Sequence, residues 1–273
     1  MAVRPVNSEQ RHLAWGRFLT HVVMCLTAFM GLGAEPPTKP LLLHALTTDQ
    51  ASSAGPFGGA IQHLQQSLEL RPLPAPLTAE ALKSVQLVWL VSSGSTHPLE
   101  NALHDTTTVA SMLLKYVEGG GTLWVMLDGG AEGLGSGPVQ SLLFKLGIVP
   151  GNQRTGAKQL QLPDRTPWFG GLIWSTGRLS PFDIEESPVL RKALLVPNDL
   201  AQKPVQAKAP DYAGMVMVLG EYGKGRVAIL GTSEWLSRPA WNAASTTGAK
   251  AADNRVFLER LLKWTLSTGH ELP

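Results

Sequence analysis

Two stretches limit the possible folds more than anything else in the chain. VQLVWLV (Val85 to Val91) and TLWVML (Thr122 to Leu127) are apolar at almost every position and rich in β-branched and aromatic residues. A strand with one wet face alternates polar and apolar side chains. A strand without that alternation is covered on both faces, as in a parallel sheet held between two helical layers. Between the two runs, Val109, Leu113, Tyr116 and Val117 recur at helical spacing, behind an N-cap signal at Asp105 or Thr106. Gly119-Gly120-Gly121 then reads as a helix stop, because glycine enters the left-handed conformation at a helix C-terminus at little cost.

The rest of the chain repeats this rhythm. LLLHAL (Leu41 to Leu46) reads as a buried first strand, and Phe57, Ile61, Leu64 and Leu68 fall on one face of a helix. The Pro-punctuated LRPLPAPLTAE has room for a short second strand. Ser136-Gly137-Pro138 opens a helix with proline in its first turn, Val139, Leu142, Leu143 and Leu146 form its stripe, and Gly147 stops it. Residues 148–210 show less period. MVMVLGEYGKGRVAIL then gives two apolar runs around Glu221 to Gly225, an antiparallel hairpin, and a last amphipathic helix from Asn254 carries Phe257, Leu258, Leu261, Leu262 and Trp264. The expected class is α/β: a three-layer, mostly parallel open sheet with helices on both faces, flavodoxin-like, with a C-terminal antiparallel hairpin. No internal repeat is visible, and residues 35–273 read as a single domain.

Residues 1–34 read as a separate segment. Arg4, Arg11 and Arg17 precede VVMCLTAFMGLGA (Val22 to Ala34), the layout of a secretory signal with cleavage near Gly33-Ala34. The 13-residue apolar part is shorter than the roughly 20 residues that cross a bilayer. Export is therefore expected, with no stable transmembrane span after cleavage; an uncleaved anchor and a buried N-terminal helix are the alternatives. A lipoprotein signal is excluded by Met24 before Cys25, where a small residue is needed. Removing three arginines and Glu9 with the leader leaves 20 basic and 20 acidic residues, so no electrostatic footprint for nucleic acid remains. The single cysteine, Cys25, also lies in the leader. The expected mature chain thus has neither disulfide nor thiolate.

Three segments together resemble the class I glutamine amidotransferase-like superfamily, in its exported, non-amidotransferase branches. LLKYVEGGGTLWVMLDGG is similar to the helix, Gly-Gly, strand signature of trehalose-utilisation-like proteins. TPWFGGL (Thr166 to Leu172) is similar to a following passage, with Thr166 where those proteins have histidine. YGKGRVAILGTSEWLS followed by DNRVFLERLLKWTL is similar to their closing hairpin and helix, a layout shared with intraflagellar transport N-terminal domains. The resemblance spans roughly residues 41–267 and implies an amidotransferase-like sheet. It also implies where chemistry would lie, since amidotransferases carry a cysteine on the turn after the strand matching Thr122–Leu127 and a later His-Glu pair. Here that turn carries Asp128, and no histidine follows Leu127 until His270. Glutaminase chemistry is not expected.

Several residues remain as candidates for a site. Asp128 could be a carboxylate nucleophile, act as an acid or base, or orient a ligand at the C-terminal edge of the sheet, where open α/β sheets bind ligands; alternatively it caps the turn backbone. Gly129 and Gly130 begin a glycine-dense loop before a helix, a setting that can present amides to an anion, or else a plain surface loop. Ser233, after the last strand, lacks the final glycine of a nucleophile elbow and reads as a turn residue. Trp168, Phe169, Trp174, Trp235 and Trp241 could line a sugar or peptide groove, or pack a core beneath long loops. His44, His63, His97 and His104 have no compact metal-ligand spacing. The expectation is an exported, non-catalytic domain that uses Asp128, Gly129, Gly130, Trp168 and Ser233 to bind a protein partner or small ligand, with no cofactor and no metal. A carbohydrate-binding or carbohydrate-active domain is the alternative, and a metal-dependent hydrolase around His97 and His104 a weaker third.

Overall fold

In a computed structural model, residues 39–92, 106–128, 137–151, 155–162, 169, 172–184, 190–197, 214–237 and 253–267 are described. The strands are β1 (Leu41–Ala45), β2 (Glu69–Pro72), β3 (Val85–Ser92), β4 (Thr122–Leu127), β5 (Ile148–Pro150), β6 (Thr155–Gln161), β7 (Ile173–Leu179), β8 (Phe182–Ile184), β9 (Leu190–Pro197), β10 (Met215–Tyr222) and β11 (Gly225–Leu230). The helices are α1 (Thr48–Ala51), α2 (Gly58–Ser67), α3 (Ala79–Leu82), α4 (Thr106–Glu118), α5 (Pro138–Lys145) and α6 (Asn254–Leu266), with a 3-10 turn at Glu234–Leu236.

The two apolar runs, β3 and β4, lie at the centre of the sheet. Its order is β2-β1-β3-β4-β11-β10-β8-β5, with β9 also paired to β10. β2, β1, β3, β4 and β11 run parallel, and an antiparallel wing of β10, β8, β9 and β5 completes it. β6 and β7 form a separate antiparallel pair. The α/β class with helices on both faces is the one observed, and the hairpin at Glu221 to Gly225 is β10–β11, turning at Gly223-Lys224. Gly223 has φ +60°, a conformation that a two-residue hairpin turn needs and glycine adopts without strain. The wing is broader than the hairpin alone, since part of the less periodic region 148–210 supplies β5, β8 and β9.

Strand alternation sorts the core into two layers. Leu87, Trp89, Val91, Trp124, Met126, Ala228 and Leu230 face α2 and α6. Val88, Leu90, Leu123, Val125, Leu127, Val227 and Ile229 face α3, α4 and α5. The continuous apolar runs are thereby explained: every apolar position meets one helical layer or the other, and Gln86 alone in them is exposed. On α6, burying Phe257, Leu258, Leu261, Leu262 and Trp264 contributes on the order of 10 kcal/mol before chain entropy is set against it. Of the five fully buried indoles among the described residues, those of Trp174, Trp235 and Trp264 have no hydrogen-bond partner for Nε1, and two are answered. Trp124 Nε1 donates to Thr265 Oγ1 at 2.9 Å, and Trp89 Nε1 lies 3.2 Å from Met126 Sδ.

The hairpin's consequence is topological. By turning back at Gly223, the chain slots β11 beside β4 in parallel, with Leu230 opposite Met126. The residues after β11 therefore emerge next to those after β4, although more than a hundred positions separate them in sequence.

Candidate functional site

Asp128 is the first residue beyond β4. Its N–H donates to the Ser92 carbonyl at 2.8 Å, continuing the β3–β4 ladder by one step, and its half-buried side chain turns toward the end of β11. There Oδ1 accepts the Ser233 N–H and Oδ2 accepts the Ser233 hydroxyl. Both oxygens of one carboxylate are thus engaged by both donors of one serine. Ser233 is 1% exposed, so these bonds are made where water has little access.

The turn that presents Ser233 is pinned on every side. Gly231 N–H donates to Val216 O at 2.8 Å, and Ser180 N–H donates to Gly231 O at 2.6 Å. Thr232 is fully buried, and its Oγ1 accepts the Glu234 N–H at 3.0 Å. Trp235, next in line, sits in an aromatic cluster: it meets Trp174 at 6.2 Å and Phe257 at 5.1 Å, both edge-on, while Trp174 stacks on Phe257 at 5.2 Å and Phe169 meets Phe257 at 5.1 Å. Ser233 is therefore held by a rigid, apolar foundation.

Of the five expected site residues, the structure brings Asp128 and Ser233 together; Gly129, Gly130 and Trp168 lie outside the described residues. The turn roles read for Asp128 and Ser233 separately prove to be two halves of one link between strand ends. The aromatic groove needs correction. Phe169, Trp174 and Trp235 are fully buried and pack against α6, so they form core and cannot stack on a sugar; Trp241 lies outside the described residues. Ser92 and Thr232, buried polar residues at the strand ends, complete the junction and were not singled out in the sequence. Each is a polar residue ending an apolar run, the one signal that could have marked them.

The histidines follow separate paths. His44 is buried at the end of β1, where its Nδ1 accepts the Leu46 N–H at 3.4 Å and burial pulls its pKa below the ordinary value. His63 on α2 lies 3.3 Å from Glu259 on α6; burial, then Arg255, pull its pKa down against the opposing pull of Glu259. His97 and His104 fall outside the described residues. Among the described residues no three His, Cys, Asp or Glu side chains are grouped to hold a metal ion. None of the described helices is long and apolar enough to cross a membrane.

At the other end of β11, Arg226 performs a structural task. Its guanidinium donates to the Trp264 carbonyl and, at 2.8 Å each, to the carbonyl and hydroxyl of Ser267, closing the C-terminus of α6. It also lies 5.5 Å over the Trp264 ring. The GKGR motif is in this way a fastening between β11 and the last helix.

Against known proteins, no family and no curated relative matches this sequence. Solved structures match the fold. The mmIFT52 N-terminal domain superposes with a TM-score of 0.58 at 16% identity, covering 84% of this chain and 99% of its own. A ThuA-like protein from Bacteroides uniformis superposes with a TM-score of 0.50 at 12% identity, covering 88% of this chain and 97% of its own. Both are amidotransferase-like folds, and at these identities the likeness is one of fold alone. The resemblance read from the three motifs is met at that level.

Proposed function

We propose that this chain is an exported, non-catalytic amidotransferase-like domain that recognises a protein partner or small ligand at the C-terminal edge of its sheet. The observation that carries the reading is the Asp128–Ser233 link. At the turn where the amidotransferase resemblance would place a nucleophile, the chain has a carboxylate whose two oxygens already accept two hydrogen bonds. A nucleophile needs a base that can take its proton and donors for the developing oxyanion. Asp128 instead acts as an acceptor that fixes two strand ends, and the rigid, half-buried edge it creates suits recognition. A panel of esterase, amidase, phosphatase and glycosidase substrates should show no turnover by the purified protein; turnover abolished by Asp128→Asn would overturn the reading.

The carbohydrate alternative loses support from the burial of Phe169, Trp174 and Trp235. Among the described residues the exposed large apolar side chains are Phe144 and Val256, and neither belongs to the Asp128 junction. Export rests on the basic start and apolar run before residue 35. Intact-mass measurement after expression with a secretion pathway should show loss of residues 1–34; a full-length mass would contradict it.

A further inference from the structure

A cavity of about 950 Å³ opens at the opposite edge of the sheet from Asp128, between α3, the last turn of α4, the β10–β11 turn and the end of α6. That volume is within the range of small-molecule sites, about 300–1,000 Å³. Leu82, Val85 and Met112 give it an apolar wall. Its charged lining is unequal, with Lys83, Lys115, Lys224 and Arg226 against the single acid Glu221.

Two of the four cations are already answered. Lys83 pairs with Glu80 at 2.5 Å, and Arg226 closes α6 while standing opposite Glu221 in the β10–β11 register. Lys115 and Lys224 are exposed and make no ion pair among the described residues. The glycine turn between α4 and β4 also lines the cavity, but the N–H groups of Gly119, Gly120 and Gly121 donate to Lys115, Val117 and Tyr116 carbonyls. The Tyr116 hydroxyl is likewise engaged, bonding the N–H and C=O of Thr122 at 3.2 Å each. The cationic donors at this mouth without an ion-pair partner among the described residues are therefore the two ammonium groups, beside the neutral side-chain amide of Gln86.

We propose that this cavity is a second binding site, distinct from the Asp128 edge, for a small organic anion. The ligand is a phosphate monoester or carboxylate whose apolar body rests on Leu82, Val85 and Met112 and whose charged head is met by Lys115 and Lys224. Desolvated apolar contact supplies affinity, and the ammonium groups select the charge.

The test is titration of the full chain with 1-naphthyl phosphate, 1-naphthoate and neutral 1-naphthol, read by calorimetry and by amide shifts at Gly119–Gly121. The phosphate should bind at least about tenfold more tightly than naphthol, a difference of about 1.4 kcal/mol. The dianion should also exceed the carboxylate, and added salt should weaken both anions. Lys115→Ala with Lys224→Ala should weaken phosphate binding about tenfold or more with an unchanged melting temperature, while Lys145→Ala and Ser233→Ala leave it unaltered. No binding at millimolar phosphate ester, equal binding of naphthol, or an unaffected double variant would each overturn the proposal.

Discussion

Replacing Asp128 by alanine removes both acceptors of Ser233 at once. The serine N–H and hydroxyl are then left in a site where Ser233 is 1% exposed, and an unsatisfied buried polar group costs about 1–3 kcal/mol. Asp128 is itself half-buried, so its loss admits some water, which places the combined cost at the lower end, about 2–3 kcal/mol. For a chain of this size that corresponds to a melting-temperature drop of roughly 4–12 °C. Ser233→Ala removes only the hydroxyl bond and leaves the carboxylate its N–H donor, a cost of about 1 kcal/mol. Once Asp128 is gone the hydroxyl has lost its acceptor, so the double variant should be no less stable than Asp128→Ala alone. The cycle therefore predicts a coupling of about 1 kcal/mol, measurable by urea unfolding with an unchanged m-value. Asp128→Ala within about 0.5 kcal/mol of the parent, or strictly additive effects, would refute the link.

Two further predictions concern the packing around this frame. A Cβ on Gly225 would lie 2.1 Å from the carbonyl oxygens of both Gly121 and Val117, which are backbone and cannot swing aside. Gly225→Ala should cost about 3 kcal/mol or more in urea unfolding, at the upper end of overpacking effects, and a near-neutral variant would contradict the register of β4 and β11. His44 and His63 both have pKa values lowered in the fold, with burial the leading cause. Above the unfolded value near 6.5 both states are neutral and the full stability is present; as pH falls below about 6.5 the unfolded chain takes protons first and stability declines. Unfolding at pH 7.5 and 5.5 should show this loss, reduced in His44→Asn with His63→Gln; an equal loss in the variant would place its source elsewhere.

The sequence carried the fold further than the site, for a physical reason. VQLVWLV and TLWVML announced themselves because burial on both faces leaves almost no polar position, and Phe57, Ile61, Leu64 and Leu68 because one helical face must be apolar. β5 and β8 have three residues each, too few for any period to show, and their antiparallel wing emerged only in three dimensions. Asp128 and Ser233 were each legible as turn residues, but their pairing depends on the β10–β11 hairpin returning the chain beside β4. Nothing local encodes that adjacency. For Trp174 and Trp235 the sequence left a groove and a packed core both open, because the irregular half hides its packing; the core is the one observed, and their partner, Phe257, was visible on the apolar stripe of the last helix.

The commitment of Asp128 and Ser233 to each other, instead of to a substrate, is most directly tested by covalent trapping. The folded protein is incubated with a fluorophosphonate for serine and an epoxide for carboxylate, and its intact mass and peptide map are read. Ser233 is 1% exposed and both Asp128 oxygens already accept hydrogen bonds, so neither group is free to reach a reagent and no adduct is expected at either residue. A stoichiometric adduct on Ser233 or Asp128, lost on denaturation before labelling, would show an activated nucleophile there and contradict the account.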